Sequence, residues 1–203
     1  MHRATGYKSM GLLLASTSPY RKALLGRLGI PFECRPPGTN ESHREGESAS
    51  ERAQRLALAK ARDVARDNPG DWVIGSDQVA SLDDNIMDKP GTHANAALQL
   101  RASSGKRVDF YTGVALVGGP EQREWFHVEH FSVYFQELSD SRIEAYLKRE
   151  QPYDCAGSFK CEGLGIALFD RLSGDDPTSL EGLPLIALSR LLRRAGIDPL
   201  NCH

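Results

Sequence analysis

With 203 residues, 40% of them hydrophobic and 26% charged, the chain has the length and apolar content of one globular domain with a substantial core. Its net charge of -2 argues against general binding to DNA or RNA, which calls for a basic excess, and no apolar run approaches the length of a membrane span. Residues 1–10 lack the apolar centre of a signal peptide and read as an extension ahead of a single domain over 11–203, so a cytoplasmic location is expected. Cys34, Cys155, Cys161 and Cys202 show neither zinc-type spacing nor a redox C-x-x-C and are expected to be reduced thiols without a shared role.

Along the chain, residues 12–15 form an apolar run of strand length that stops in the hydroxyls of Ser16-Thr17-Ser18. Ser18 suits an N-cap and Pro19 the first helical position. Leu24, Leu25 and Leu28 then recur at helical spacing until Gly29. This strand, turn and helix start aim unpaired N–H groups and a positive helix end at one point, with Ser16, Ser18, Arg21 and Lys22 around it. A phosphate suits such a point; a capped surface helix with solvated cations has the same composition. Gly29 to Cys34 turns into a second strand, and residues 35–47 are a polar loop.

Ser48-Ala49-Ser50-Glu51 has capping-box spacing and opens a helix to about residue 68, ended by Pro69-Gly70. Its apolar stripe is Ala53, Leu56, Ala57, Ala61 and Val64, with Lys60 at an inward position, where it either snorkels to the rim or meets an anion. Residues 72–79 are a β-branched strand that carries Asp77 in a stretch otherwise fit for burial. A carboxylate there calls for a divalent metal, an activated water, a lysine partner or backbone N–H groups. Asp83-Asp84-Asn85 turns into a short strand over 86–88, which brings Lys89 back toward Asp77.

Thr92 caps a helix to about residue 103, with Ala97, Leu98 and Leu100 among its apolar residues. Residues 107–117 and 125–135 are expected to pair as a hairpin across Gly118-Gly119-Pro120. His127 and His130, three apart on a strand, point to opposite faces and do not share a metal. Ser139 or Ser141 starts a helix that carries Ile143, Tyr146 and Leu147 and closes at Gln151-Pro152. Residues 155–165 are glycine-rich but lack P-loop or dinucleotide spacing. Residues 166–169 are expected to be a strand and 173–177 a turn. Gly182-Leu183-Pro184 leads into a last helix with Leu185, Leu188, Leu191 and Leu192 on its apolar face.

Leu14-Ala15-Ser16-Thr17-Ser18-Pro19-Tyr20-Arg21, Gly75-Ser76-Asp77-Gln78, Asp88-Lys89-Pro90, Tyr111-Thr112-Gly113, Ala156-Gly157-Ser158 and Gly182-Leu183-Pro184, in this order and spacing, resemble the Maf nucleotide pyrophosphatases. The resemblance implies an α/β fold, an elongated mixed β-sheet flanked by helices, related to the inosine triphosphate pyrophosphatases. It implies hydrolysis of a nucleoside triphosphate to the monophosphate and pyrophosphate with a divalent cation, Mg²⁺ or Mn²⁺. It makes Asp77 the proton acceptor, with Ser16, Arg21, Lys60 and Lys89 as phosphate-site groups, Lys89 counted with Asp77 among the catalytic pair. Glu41, with Asp77, matches the acidic positions that hold metal.

Tyr20, Gln78 and Glu162 fall where branches of that family differ, and here they resemble the branch acting on 7-methyl-GTP, although a tryptophan is more usual at the position of Tyr20. The branch acting on dTTP and UTP carries arginine, threonine and glutamine at the three positions. Hydrolysis of dTTP or UTP is therefore one alternative. A catalytically silent nucleotide-binding regulator of cell division is the other. The expected partner is a small nucleotide, with no nucleic acid and no membrane; a homodimer is expected from the resemblance alone.

Overall fold

The computed structural model describes residues 10–201; most of the expected N-terminal extension, and Cys202, lie outside the described residues. The apolar and β-branched runs form strands β1 (Leu12–Ala15), β2 (Glu33–Arg35), β3 (Trp72–Leu82), β4 (Asn85–Met87), β5 (Arg107–Gly118), β6 (Arg123–Phe135) and β7 (Phe169–Gly174). The amphipathic segments form helices α1 (Pro19–Gly26), α2 (Ala49–Asp67), α3 (His93–Ser103), α4 (Asp140–Glu150) and α5 (Leu185–Arg194). Hydroxyl side chains cap four of these helices, Ser18, Ser48, Thr92 and Ser139 each accepting from the backbone three residues on. Such a cap contributes about 1 kcal/mol, and Ser48 with Glu51 completes the reciprocal pair of a capping box.

The strands make one mixed sheet in the order β2-β1-β3-β5-β6-β7, with β4 beside β3. β1 runs parallel to β2 and β3, and the remaining pairs are antiparallel. Alternation sorts side chains to the two faces. Leu13, Ala15 and Val73 pack with Ala57, Leu58, Ala61 and Val64 of α2. Leu12, Leu14 and Ile74 pack on the other face with Leu24 and Leu25 of α1 and Leu185, Leu188 and Leu192 of α5. Beyond them, α3 and α4 close over Phe110, Phe131, Val133 and Phe135 in a second cluster.

Two glycines set how closely α2 lies on the sheet. A Cβ at Gly75 would meet the Ala57 carbonyl oxygen at 2.1 Å, and one at Gly113 the Ala53 carbonyl oxygen at 2.3 Å. Backbone therefore rests on backbone at this crossing, and side chains of α2 reach into the sheet edge.

One expectation changes. Residues 164–168 form a 3-10 turn, and the last strand starts at Phe169 and continues through Ser173 and Gly174. The Gly165 N–H bonds back to the Lys160 carbonyl at 3.0 Å, so the chain is still folding on itself where the apolar run begins. Pairing with β6, which brings Ser132 opposite Ser173, then carries the strand into the expected turn. In α3, Leu98 is 61% exposed, and the inward face is Ala96, Ala97 and Leu100.

Candidate active site

β1 pairs with β3 only as far as Ile74, and β4 joins β3 only from Ala80, so the β3 edge at residues 75–79 is left open. A cleft of about 670 Å³ lies at this gap. It is reached from both faces of the sheet, because successive β3 side chains point opposite ways. Ser16, Tyr20, Arg21, Glu41, Lys60, Asp77, Gln78, Lys89 and Glu162 all line it, so residues scattered over 147 positions of sequence converge on one cavity.

Asp77 shares a face with Gly75 and lies beneath α2. Lys60 Nζ is 2.6 Å from Asp77 Oδ1 and 2.8 Å from Glu41 Oε1. The Lys60 and Asp77 side chains are only 8% and 11% exposed, whereas that of Glu41 is 56% exposed. Of the ways to neutralise Asp77, the structure uses the lysine, and the ammonium does not snorkel to the rim. Burial alone would raise the Glu41 carboxyl, but the hydrogen bond and charge of Lys60, with Lys89 and Arg21 adding to it, hold its pKa below the usual value. The two carboxylates that meet one ammonium are hard oxygen donors of the kind Mg²⁺ and Mn²⁺ take.

Ser76 and Gln78 face the opposite side, against the 3-10 turn Pro177–Glu181. Ser76 Oγ lies 2.8 Å from the Gly113 carbonyl and 2.9 Å from the Gly182 carbonyl; Arg21 Nε donates to the same Gly182 oxygen at 2.9 Å. Gly182 adopts φ 107, which favours glycine, and this turns its carbonyl to accept both. Burial lowers the Arg21 guanidinium pKa, opposed by Asp77 and Glu41; the group remains a cation. Ser16, buried at the end of β1, accepts from Ser18 N at 3.1 Å and keeps its own proton to donate. The Gln78 amide donates to the Ser179 and Leu180 carbonyls at 2.8 and 3.1 Å, which leaves its carbonyl oxygen for the cleft.

Tyr20, Phe110, Cys155, Phe159, Cys161 and Glu162 also line the cavity. The Tyr20 phenol is raised by burial and by the neighbouring Cys155, against a hydrogen bond from Lys160. Both thiols are pushed up to about 12, by burial first and then by the carboxylates of Asp154 and Glu162 respectively, and they stay protonated. His127 and His130 stand apart on β6, where they pair with Glu129 and Asp109. Among the described residues no three His, Cys, Asp or Glu side chains gather as a ready metal cluster.

Sequence reasoning missed the scaffold behind the polar groups. Asp176, 1% exposed, accepts from Thr178 N at 3.0 Å and Ile186 N at 2.7 Å, tying the turn before Gly182 to the start of α5. Asp176-Pro177 carries the signal for that cap, an acid before a proline. Its partner across the fold has no local signal.

The family model for Maf-like proteins matches residues 11–195. This chain belongs to the Maf family. It is 55% identical over 187 residues to a protein of Xanthomonas axonopodis pv. citri named 7-methyl-GTP pyrophosphatase, covering 92% of this chain and 97% of that one. A protein of Albidiferax ferrireducens with the same name is 52% identical over 190 residues, covering 94% of this Maf chain and 96% of the relative. A crystal structure of a Vibrio cholerae protein aligns at a TM-score of 0.43 and 11% identity, over 93% of this chain and 99% of that one. No helix among the described residues is long and apolar enough to cross a membrane.

Proposed function

We propose that this Maf protein hydrolyses 7-methyl-GTP to 7-methyl-GMP and pyrophosphate. One juxtaposition carries the reading: the buried Asp77–Lys60 pair shares a cavity with an aromatic face, Tyr20, and a carboxylate, Glu162. The names of the two relatives support it.

In this reaction Asp77 orients a water and takes its proton as the oxygen attacks the α-phosphorus; the bond from that phosphorus to the bridging oxygen breaks, and pyrophosphate leaves. Lys60 holds one Asp77 lone pair through its hydrogen bond. An arriving phosphate draws the ammonium to its own oxygens and frees the carboxylate for water. Ser16, Arg21 and Lys89 supply donors and positive charge to the phosphates. A divalent cation, Mg²⁺ or Mn²⁺, held by Asp77 and Glu41 would polarise the α-phosphoryl group.

At the base end, methylation at N7 gives guanine a delocalised positive charge. A tyrosine face then contributes a cation-π attraction of about 0.5 to 2 kcal/mol that unmodified guanine does not receive. Glu162 accepts from the guanine N1–H and exocyclic amine, and its charge favours the cationic base. Gln78 adds an acceptor through its carbonyl oxygen. The proposal includes a cytoplasmic place of action, among the nucleotide pools, and a homodimer, which rests on family resemblance alone.

The test is a pyrophosphate-release assay with Mg²⁺ over 7-methyl-GTP, GTP, dTTP and UTP. The expected result is a preference for 7-methyl-GTP. Equal rates on GTP would end the base assignment, and preference for dTTP or UTP would move the chain to the other branch. Absence of release from every nucleotide, with binding retained, would support the silent regulator instead.

A further inference from the structure

Arg52 lines the cleft and has no part in the chemistry above. It stands on α2 two turns before Lys60, with Leu56 between them on the same stripe, so the two cations form a row spaced about 12 Å along the helix. Its side chain is 13% exposed. One terminal nitrogen donates to Asp88 Oδ1 at 3.1 Å, while Nε–H is buried with no acceptor. Nearby acids do not answer it: Glu47 is bonded to Arg55, and Glu51 closes the Ser48 cap. Asp88 is itself 67% exposed, and an ion pair with so solvated an acid is weak and readily exchanged. The cleft therefore holds a nearly buried guanidinium with an unsatisfied donor, beside Lys89.

We infer that Arg52 is a binding residue for the terminal phosphates of the substrate, exchanging Asp88 for phosphate oxygens and so distinguishing a triphosphate from shorter nucleotides. A guanidinium meets phosphate with two parallel donors and is unsuited to a cationic base, which assigns Arg52 to the pyrophosphate end. The identity of the substrate rests on the hydrolase reading; the affinity for pyrophosphate does not.

The experiment is calorimetric titration of the full chain with pyrophosphate and, separately, with 7-methyl-GMP. Arg52→Met is expected to weaken pyrophosphate by about ten- to a hundredfold and 7-methyl-GMP by less than about twofold. Asp88→Asn, which frees the guanidinium, is expected to leave pyrophosphate affinity equal or tighter. Should Arg52→Met not fold, Arg52→Lys keeps charge and stem but loses the fork, and about a tenfold loss is expected. The inference is overturned if the unmodified chain does not bind pyrophosphate, or if removing the guanidinium leaves that affinity within twofold. It is equally overturned if Asp88→Asn weakens binding as much as Arg52→Met, since the pair would then only pin the Lys89 segment to α2. A chain that binds pyrophosphate through Arg52 yet hydrolyses no nucleotide would count against the hydrolase reading alone.

Discussion

Replacing Asp77 by asparagine, Lys60 by methionine, and both together separates what the buried pair does for the fold from what it does in the reaction. Lys60→Met leaves the Asp77 carboxylate, 11% exposed, without the ammonium 2.6 Å away. An uncompensated buried charge of this kind costs about 3–5 kcal/mol, which in a chain of this size lowers Tm by roughly 6–20 °C. Asp77→Asn costs less, about 1–3 kcal/mol, because Lys60 keeps Glu41 at 2.8 Å and a neutral amide still fills the space. The double substitution Lys60→Met/Asp77→Asn leaves no buried charge, and Glu41, 56% exposed, returns to water. It should therefore lose less than the sum of the two single changes, with a coupling on the order of 2 kcal/mol. Urea melts of the four proteins measure the cycle, and pyrophosphate release from 7-methyl-GTP measures the chemistry. Asp77→Asn and the double variant should both lose activity by about a hundredfold or more while remaining folded. Additive stabilities would refute the pairing, and near-normal turnover by Asp77→Asn would refute its role as proton acceptor.

Gly75→Ala places a methyl group 2.1 Å from the Ala57 carbonyl oxygen, so α2 must lift; thermal melts should show a loss of about 1–3 kcal/mol or more, and activity should fall with it as Lys60 moves. Tyr20→Arg and Glu162→Gln should each reduce the ratio of kcat/KM for 7-methyl-GTP over GTP, with little effect on melts because both sit at the cavity rim; an unchanged ratio would remove them from base recognition. Cys155 and Cys161, with thiols held near 12, should react with iodoacetamide at pH 8 far more slowly than a free cysteine, which peptide mass mapping reads directly. For the same reason stability should decline as pH rises from about 9 toward 12: the unfolded chain releases thiol protons there that the fold retains, and chemical melts across that range check the slope.

Local chemistry was legible from sequence wherever it acts between near neighbours. Ser18, Ser48, Thr92 and Ser139 cap the helices they precede, since a cap is a bond between residues three apart. The Ala53-Leu56-Ala57-Lys60-Ala61-Val64 stripe put Lys60 on the buried face, and the β-branched run of β3 put Asp77 in the interior. Residues 166–168 read as strand from sequence because a short apolar run has no period with which to distinguish a strand from a 3-10 turn held by a hydrogen bond back to Lys160.

The partners, in contrast, came only with the tertiary structure. That Lys60 meets Asp77 depends on Gly75 and Gly113 letting α2 settle backbone-to-backbone on the sheet. That Arg21 is aimed depends on the Gly182 carbonyl, 161 positions away, turned by a positive φ. The cleft itself exists because β1 ends at Ala15 and β4 joins only at Ala80, a gap between two pairings that neither strand encodes alone. Residue types and periods settle which side chains are buried, since each acts through its own local geometry. Which charge each buried group meets is a property of distant segments packed together, and only the folded chain decides it.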